Sequence, residues 1–267
     1  MFAGGLVKTR DPGLAFLPIA QLLQGAKPIV NPCQESGIDV WGYVLEGDAQ
    51  TVAQCRSWLT VEECSRASRF IRSEDQRRYV LARGGLRMLL SGYTGLAPDA
   101  VIIQAGPEGK PALGNQDGIA QPVWFNLSHS RGRMLVGITG RRDVGVDLEQ
   151  IRADADILKL AKRFYAPAEF HAIVLQDAAC RRESFYRHWV AKEAFLKFKG
   201  VGLKFPLGQC LVTMASDGAS AAIDWHKGLA EIERGGVKFL PLPDGWLGAV
   251  AAEGTDWTVR LGEWTFD

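Results

Sequence analysis

Residues 140–149 read GRRDVGVDLE, and the reading of this stretch decides the architecture. In VGVDLE, period-two alternation places Val144, Val146 and Leu148 on one face and Gly145, Asp147 and Glu149 on the other, as a strand does. GRRD reads as a hairpin turn after a β-type run over 133–139. A turn centred between Arg141 and Arg142 would set Asp147 opposite Val136 and Glu149 opposite Met134. Upstream, IDVWGYVL from Ile38 alternates as a strand, and helical patterns follow at 49–58, 61–70 and 73–92, then a β-type run at 100–104. Ser73 with Gln76 three residues on reads as a capping box for the third helix. Downstream come helical patterns at 155–164, 167–176 and 181–199, with Pro167 in a first turn, and a strand-rich tail over 209–264. The order strand, helices, strands thus runs twice. The expected fold class is α+β, built as two similar α+β halves meeting near residue 140. Residues 1–36 form an N-terminal extension of uncertain structure, followed by halves over 37–140 and 141–267.

The chain has 267 residues, is 47% hydrophobic and carries a net charge of +1, so a globular protein is expected and disorder is not. A near-neutral balance argues against nucleic-acid or membrane binding by global charge; any anion site must be local. Cys33, Cys55, Cys64, Cys180 and Cys210 show no CxxC spacing, which fits a reducing compartment and offers no zinc site. The N-terminal LAFLPIAQLL is short and interrupted by Pro18, and no run reaches membrane-spanning length. A soluble, cytoplasmic protein is the expectation.

Three stretches carry chemistry. Asp147 and Glu149, on one strand face beside a glycine that leaves room, suit an oxygen-coordinated cation such as magnesium; the alternative is an acidic solvent-facing strand. FNLSHS (125–130) supplies hydroxyl and imidazole donors, and through the hairpin it would lie near Glu149. Ser128 and His129 point to opposite sides of a β-like segment, and no G-x-S-x-G elbow surrounds the serine, so a donor loop fits better than a nucleophile–base pair. In WVAKEAFLKFKGVGL (189–203), Trp189, Glu193 and Lys197 share a helix face, and Gly200 and Gly202 are stop signals. A Glu–Lys pair half-buried beside a tryptophan needs a reason, such as a metal for the carboxylate and a phosphate for the ammonium.

GKP (109–111), FNLSHS, GVDLE (145–149) and the 189–203 helix occur in an order and spacing that resemble the Sfp-type 4′-phosphopantetheinyl transferase family. The resemblance runs from about residue 38 to 252. It implies two pseudo-symmetric α+β halves with coenzyme A in the cleft between them. It also implies that Asp147, Glu149 and Glu193 hold magnesium (or manganese), and that Lys197 pairs with the pyrophosphate. Ser128 and His129 would contact coenzyme A phosphates, the histidine at the 3′-phosphate, while Lys110 approaches from the first half and Asn126 shapes the loop. Arg66 and Arg69 match basic positions for the nucleotide end. They belong to a set of seven, with Arg72, Arg77, Arg78, Arg83 and Arg87, of which at least half are expected to be solvated or paired with acids. The usual basic or polar residue before Gly-Lys-Pro is absent here, where Ala105 and Gly106 stand.

The implied reaction moves the phosphopantetheine arm of coenzyme A onto a serine of an apo acyl or peptidyl carrier protein and releases adenosine 3′,5′-bisphosphate. The chain would work as a monomer. Glu193 and Glu169 are the candidate proton acceptors, and Lys197 assists the leaving charge. Two rivals use overlapping residues: a metal-dependent hydrolase of coenzyme A or a related nucleotide, and a non-catalytic coenzyme A-binding module.

Overall fold

The computed structural model describes residues 13–23, 26–28, 37–115, 118, 122–202, 205–226 and 232–266. The chain opens with β1 (Phe16–Pro18), α1 (Ile19–Leu23) and β2 (Ala26–Pro28), followed by β3 (Gly37–Val44). Three helices come next, α2 (Ala49–Ser57), α3 (Val61–Ser68) and α4 (Ser73–Thr94). Then come β4 (Ile103–Ala105), β5 (Pro111–Leu113), β6 (Trp124–Ser130), β7 (Arg133–Thr139) and β8 (Val144–Gln150). The second set of helices is α5 (Ile157–Phe164), α6 (Pro167–Val174) and α7 (Ala178–Lys199). The tail forms β9 (Cys210–Met214), β10 (Ser220–His226), β11 (Ile232–Phe239), β12 (Trp246–Ala252), β13 (Thr258–Leu261) and β14 (Trp264–Phe266). The α+β class and the doubled strand–helices–strands order are as expected.

Two five-stranded sheets organise these elements. The first runs β1-β3-β7-β6, with β13 also paired to β3; the second runs β8-β12-β11-β10-β9. The expected hairpin between β7 and β8 does not form. β7 pairs with β3 and β6, whereas β8 pairs with β12, where Asp147 lies opposite Ala249 and Glu149 opposite Leu247. GRRD is therefore the crossing from one sheet to the other. Sequence adjacency suggested a hairpin, but the apolar faces of both strands decide otherwise. Val144, Val146 and Leu148 pack face to face on Ile38, Val40 and Leu135 of the first sheet, with Val250 and Trp257 closing the cluster. Stacking the sheets buries both apolar faces, which an exposed two-stranded ribbon would not do.

Each sheet carries a long helix on its other side. α4 lies in a cluster with Trp41, Tyr43, Val136 and Ile138, and α7 lies with Ile223, Val237, Ala249 and Ala251. Both helices stop on a left-handed glycine, Gly95 (φ 74°) and Gly200 (φ 68°), a conformation that costs a side-chain-bearing residue strain. Pro167 opens α6 as expected. The capping box expected at Ser73 is absent: Arg72 holds the cap position of α4 without a side-chain hydrogen bond. The box forms instead one helix earlier, between Thr60 and Glu63 of α3.

Part of residues 1–36, whose structure the sequence leaves uncertain, joins the first sheet and core. β1 pairs in parallel with β3, and Ile19 and Leu22 are buried in the first core. The rest of that segment, with Cys33, lies outside the described residues, as does Leu203. Sheet membership changes hands between β7 and β8, and β13, late in the chain, returns to pair with β3. Among the described residues no helix is long and apolar enough to cross a membrane.

Candidate active site

The acidic face of β8 meets α7. Gly145 is where they touch: a Cβ there would stand 2.0 Å from the Ala194 carbonyl oxygen and 2.2 Å from the Phe198 nitrogen. The glycine was expected to leave room for a cation; the room is taken by the helix backbone. This close approach sets Asp147 and Glu149 across from Glu193 and Lys197, which project from α7. Lys197 Nζ donates to Asp147 Oδ1 (2.7 Å) and to Ser128 Oγ (2.9 Å). The lysine thus answers Asp147 on the neighbouring strand rather than serving as an i,i+4 partner for Glu193. Trp189, on the same helix face, packs its ring against Phe164 and Phe185.

Asp147 and Glu193 are buried, 4% and 6% exposed, and Asp147 Oδ2 and Glu193 Oε1 have no hydrogen-bond partner. Buried carboxylate oxygens rarely go unmatched, because each one costs the desolvation of a charged group. Burial pushes the Glu193 carboxyl up to about 7, with repulsion from Asp147 and Glu149 adding to it and Lys197 opposing it. Burial and Asp147 likewise raise Glu149, partly offset by the hydrogen bond from Ser130 and by Lys197 and Arg152. Two orphaned carboxylate oxygens in one acidic cluster suit a hard cation. Among the described residues, however, no three His, Cys, Asp or Glu side chains already stand together as a metal cage.

FNLSHS is part of a strand, β6, rather than a loop. Its alternation sends Asn126, Ser128 and Ser130 toward β8. Asn126 Oδ1 accepts from Val146 N (2.9 Å), Ser128 Oγ donates to Asp147 Oδ1 (2.8 Å), and Ser130 Oγ donates to Glu149 Oε2 (2.9 Å). The segment therefore does lie beside Glu149, although not by way of a hairpin. His129 points the other way, into a cavity of about 820 Å³ that it lines with Arg66, Arg78, Tyr79, Arg83 and Arg131. Burial, with the positive charge of Lys197, lowers the His129 pKa, Asp147 and a backbone hydrogen bond resisting.

Five of the seven arginines are placed by what they touch. Arg87, buried, and Arg83 both grip Glu63, and Arg87 also donates to the Val101 carbonyl (2.5 Å), so these two brace α3 against α4. Burial alone would raise Glu63, but Arg83, the Thr60 amide and Arg87 hold its carboxyl below the ordinary range. Arg78 pairs with Glu74 at 2.5 Å. Arg66 lies over the Tyr79 ring and lines the cavity, whereas Arg69 lines only the adjoining groove with Arg66, Val61 and Phe70. Lys110 bridges the halves, reaching Asp143 Oδ1 (3.1 Å) and the Phe198 carbonyl (3.3 Å). Arg78, Arg131 and Tyr79 on the cavity wall, and Ser130 beside Glu149, were not singled out from sequence. Ser130 had a signal, its period-two spacing from Asn126 and Ser128.

Glu169 stands apart from this cluster in its bonding. Its Oε2 accepts from the Ala166 amide (3.0 Å) and from Lys192 Nζ (2.6 Å), and its Oε1 accepts from the Val212 amide (2.9 Å). Lys192, fully buried, also donates to the Leu207 carbonyl (2.9 Å). This pair ties α6, α7 and β9 together.

Comparison with known proteins bears on what such a site serves. A profile described as the 4′-phosphopantetheinyl transferase superfamily matches residues 143–243, and one described as 4′-phosphopantetheinyl transferase, N-terminal, matches residues 47–140. The 4′-phosphopantetheinyl transferase HetI of a Nostoc species is 35% identical over 62% of this chain and 70% of its own length. The chain belongs to the 4′-phosphopantetheinyl transferase family. It is an enzyme of the transferase class. Other relatives are the 4′-phosphopantetheinyl transferase psf-1 of Bacillus pumilus, 29% identical over 62% of this chain and 69% of its own length. The 4′-phosphopantetheinyl transferase Sfp of Bacillus subtilis is 28% identical over 61% of this chain and 69% of its own. The two profiles meet at the GRRD crossing between the sheets.

Proposed function

We propose that this transferase moves the 4′-phosphopantetheine arm of coenzyme A onto a serine hydroxyl of an apo acyl or peptidyl carrier protein, with magnesium, releasing adenosine 3′,5′-bisphosphate. The observation that carries the metal-dependent reading is the pair of orphaned, buried carboxylate oxygens on Asp147 and Glu193 beside Lys197. Asp147, Glu149 and Glu193 would hold the ion, which when bound supplies positive charge to a pyrophosphate. The arginine- and histidine-lined cavity supports the nucleotide end: Arg66, Arg78 and His129 offer donors to phosphate on a protein of near-zero net charge. Arg69, on the adjoining groove, and Lys110, at the seam between the halves, complete the proposed basic set.

Chemistry on this chain's side is proton and charge management. The carrier serine oxygen attacks the β-phosphorus while the bond to the bridging oxygen breaks and the bisphosphate departs. The hydroxyl proton goes to a carboxylate. Of the two candidates we assign Glu193, whose buried Oε1 has no hydrogen-bond partner and lies in the acidic cluster with Asp147 and Lys197. Glu169, with both oxygens occupied by three donors, serves the framework. Lys197 and Ser128 donate toward the charge that grows on the leaving phosphate.

The test is incubation with coenzyme A, magnesium and an apo carrier protein, followed by mass spectrometry of the carrier. A gain of one phosphopantetheine that EDTA prevents is expected. Bisphosphate release without carrier modification would indicate the hydrolase, and neither product would indicate a binding module. Because the reading places the enzyme with carrier proteins and coenzyme A, it places it in the cytoplasm, acting as a monomer without nucleic acid or membrane.

A further inference from the structure

β6 and β8 are each the edge strand of their own sheet, and they lie side by side without a backbone ladder between them. Edge strands present a row of unpaired N–H and C=O groups, and buried ones must find partners. Here the partners are side chains. Moving along β6, Asn126 accepts from Val146 N, Ser128 donates to Asp147, and Ser130 both donates to Glu149 and accepts from Gln150 N (3.4 Å). The contacts advance together along both strands, so the two edges run parallel. Val146 and Gln150 are four residues apart, and in an antiparallel ladder alternate amides point away from the paired strand. Their amides turn from β12 toward β6, where an amide oxygen and a hydroxyl replace the missing strand. Asn126 and Ser128 are 4% and 6% exposed, so water does not compete freely for these bonds.

We propose that Asn126, Ser128 and Ser130 are positioning residues that lock the register between the two sheets and thereby aim Asp147 and Glu149 at Glu193. This rests on the metal-dependent reading above for its consequence, though not for its geometry. A one-residue slip of β8 past β6 would exchange its acidic face for its apolar one. The backbones of the two edges make no ladder, and these side-chain bonds span the seam instead. Ser130 matters most for Glu149, and Asn126 for the strand itself.

The experiment has two arms. In the first, amide hydrogen exchange is followed on the metal-free chain: N126A should expose the Val146 amide selectively, with exchange at least tenfold faster, while β12 amides stay protected. Unchanged protection of Val146 would overturn the register lock. In the second, Mn²⁺ alone is titrated against wild type, S130A and S130T by electron paramagnetic resonance. Loss of a group that orients a metal ligand typically costs about 10–100-fold in affinity. S130A should weaken Mn²⁺ about tenfold, and S130T, which keeps the hydroxyl, should restore it to within about threefold. Equal losses in S130A and S130T, or none in S130A, would overturn the positioning role. Should S130A not fold, S130V against S130T makes the same comparison between isosteres. Wild type that binds no Mn²⁺ and modifies no carrier would instead refute the proposed function, and the exchange arm would still decide the register lock.

Discussion

Gly145→Ala tests the close approach on which the site depends. The added methyl would meet the Ala194 carbonyl at 2.0 Å and the Phe198 nitrogen at 2.2 Å, both backbone atoms of α7, whereas ordinary contact begins near 3.4 Å. The helix and strand must therefore part by about 1.4 Å, the difference between 3.4 and 2.0. Gly145 is not among the positive-φ glycines, so the cost is one of space and not of backbone conformation. Overpacking a well-filled interior costs roughly 1–3 kcal/mol, and with no flexible side chain to yield, the upper end applies. For a chain of this size that lowers Tm by about 6–12 °C. A misplacement of about 1 Å between reacting groups costs on the order of 100-fold in rate. G145A should accordingly lose more activity than stability: folded at 25 °C, it should transfer phosphopantetheine about two orders of magnitude more slowly. Thermal melting and the carrier mass assay, run on the same preparation, check both. A variant with wild-type Tm and a rate within threefold would refute the argument that backbone contact at this glycine sets the spacing of Asp147 and Glu193.

Further predictions follow from individual contacts. Because Glu193 titrates at about 7 in the folded chain and near 4.5 when unfolded, the folded state keeps a proton that the unfolded state loses between those values. Stability of the metal-free protein should fall as pH rises from about 4.5 to 7, and E193Q should escape this, gaining at most about 3 kcal/mol over wild type above pH 7 and nothing at pH 4; melts in EDTA across that range would show a pH-independent gap if the idea is wrong. Removing one member of the buried Glu169–Lys192 pair should cost about 3–5 kcal/mol, while E169L/K192M recovers most of it; urea unfolding measures both, and a single variant as stable as wild type would contradict the framework role. H129A should weaken coenzyme A about tenfold, as loss of a charge-assisted hydrogen bond does, without affecting dephospho-coenzyme A; equal losses for both in calorimetry would move His129 away from the 3′-phosphate.

The sequence announced its chemistry at the residues where periodicity is strictest. Val144, Val146 and Leu148 against Asp147 and Glu149 is a pattern of period two that only a strand satisfies, and the structure keeps it. Trp189, Glu193 and Lys197 shared one helix face for the equivalent reason at a period of 3.6. Gly200 ended α7 because a left-handed residue there closes the last turn, and the doubled order of elements gave the two-layer plan. FNLSHS was harder, because four polar side chains in six residues mimic a loop until a neighbouring strand is present to receive three of them. The capping box was misplaced by one helix, since Ser73–Gln76 and Thr60–Glu63 carry the same spacing and only the local backbone distinguishes them.

What the sequence alone determined, then, is which residues share a face: local geometry fixes that, and no distant partner can alter it. What only the tertiary structure decided is which faces meet. Whether β8 folded back on β7 or crossed to β12 depended on the apolar area each arrangement buried, a sum over residues far apart in the chain. The same sum placed Lys197 on Asp147 rather than Glu193, and set Asn126, Ser128 and Ser130 against an edge strand 20 residues or so away in sequence. Periodicity is written in neighbours; contact is settled by the whole core.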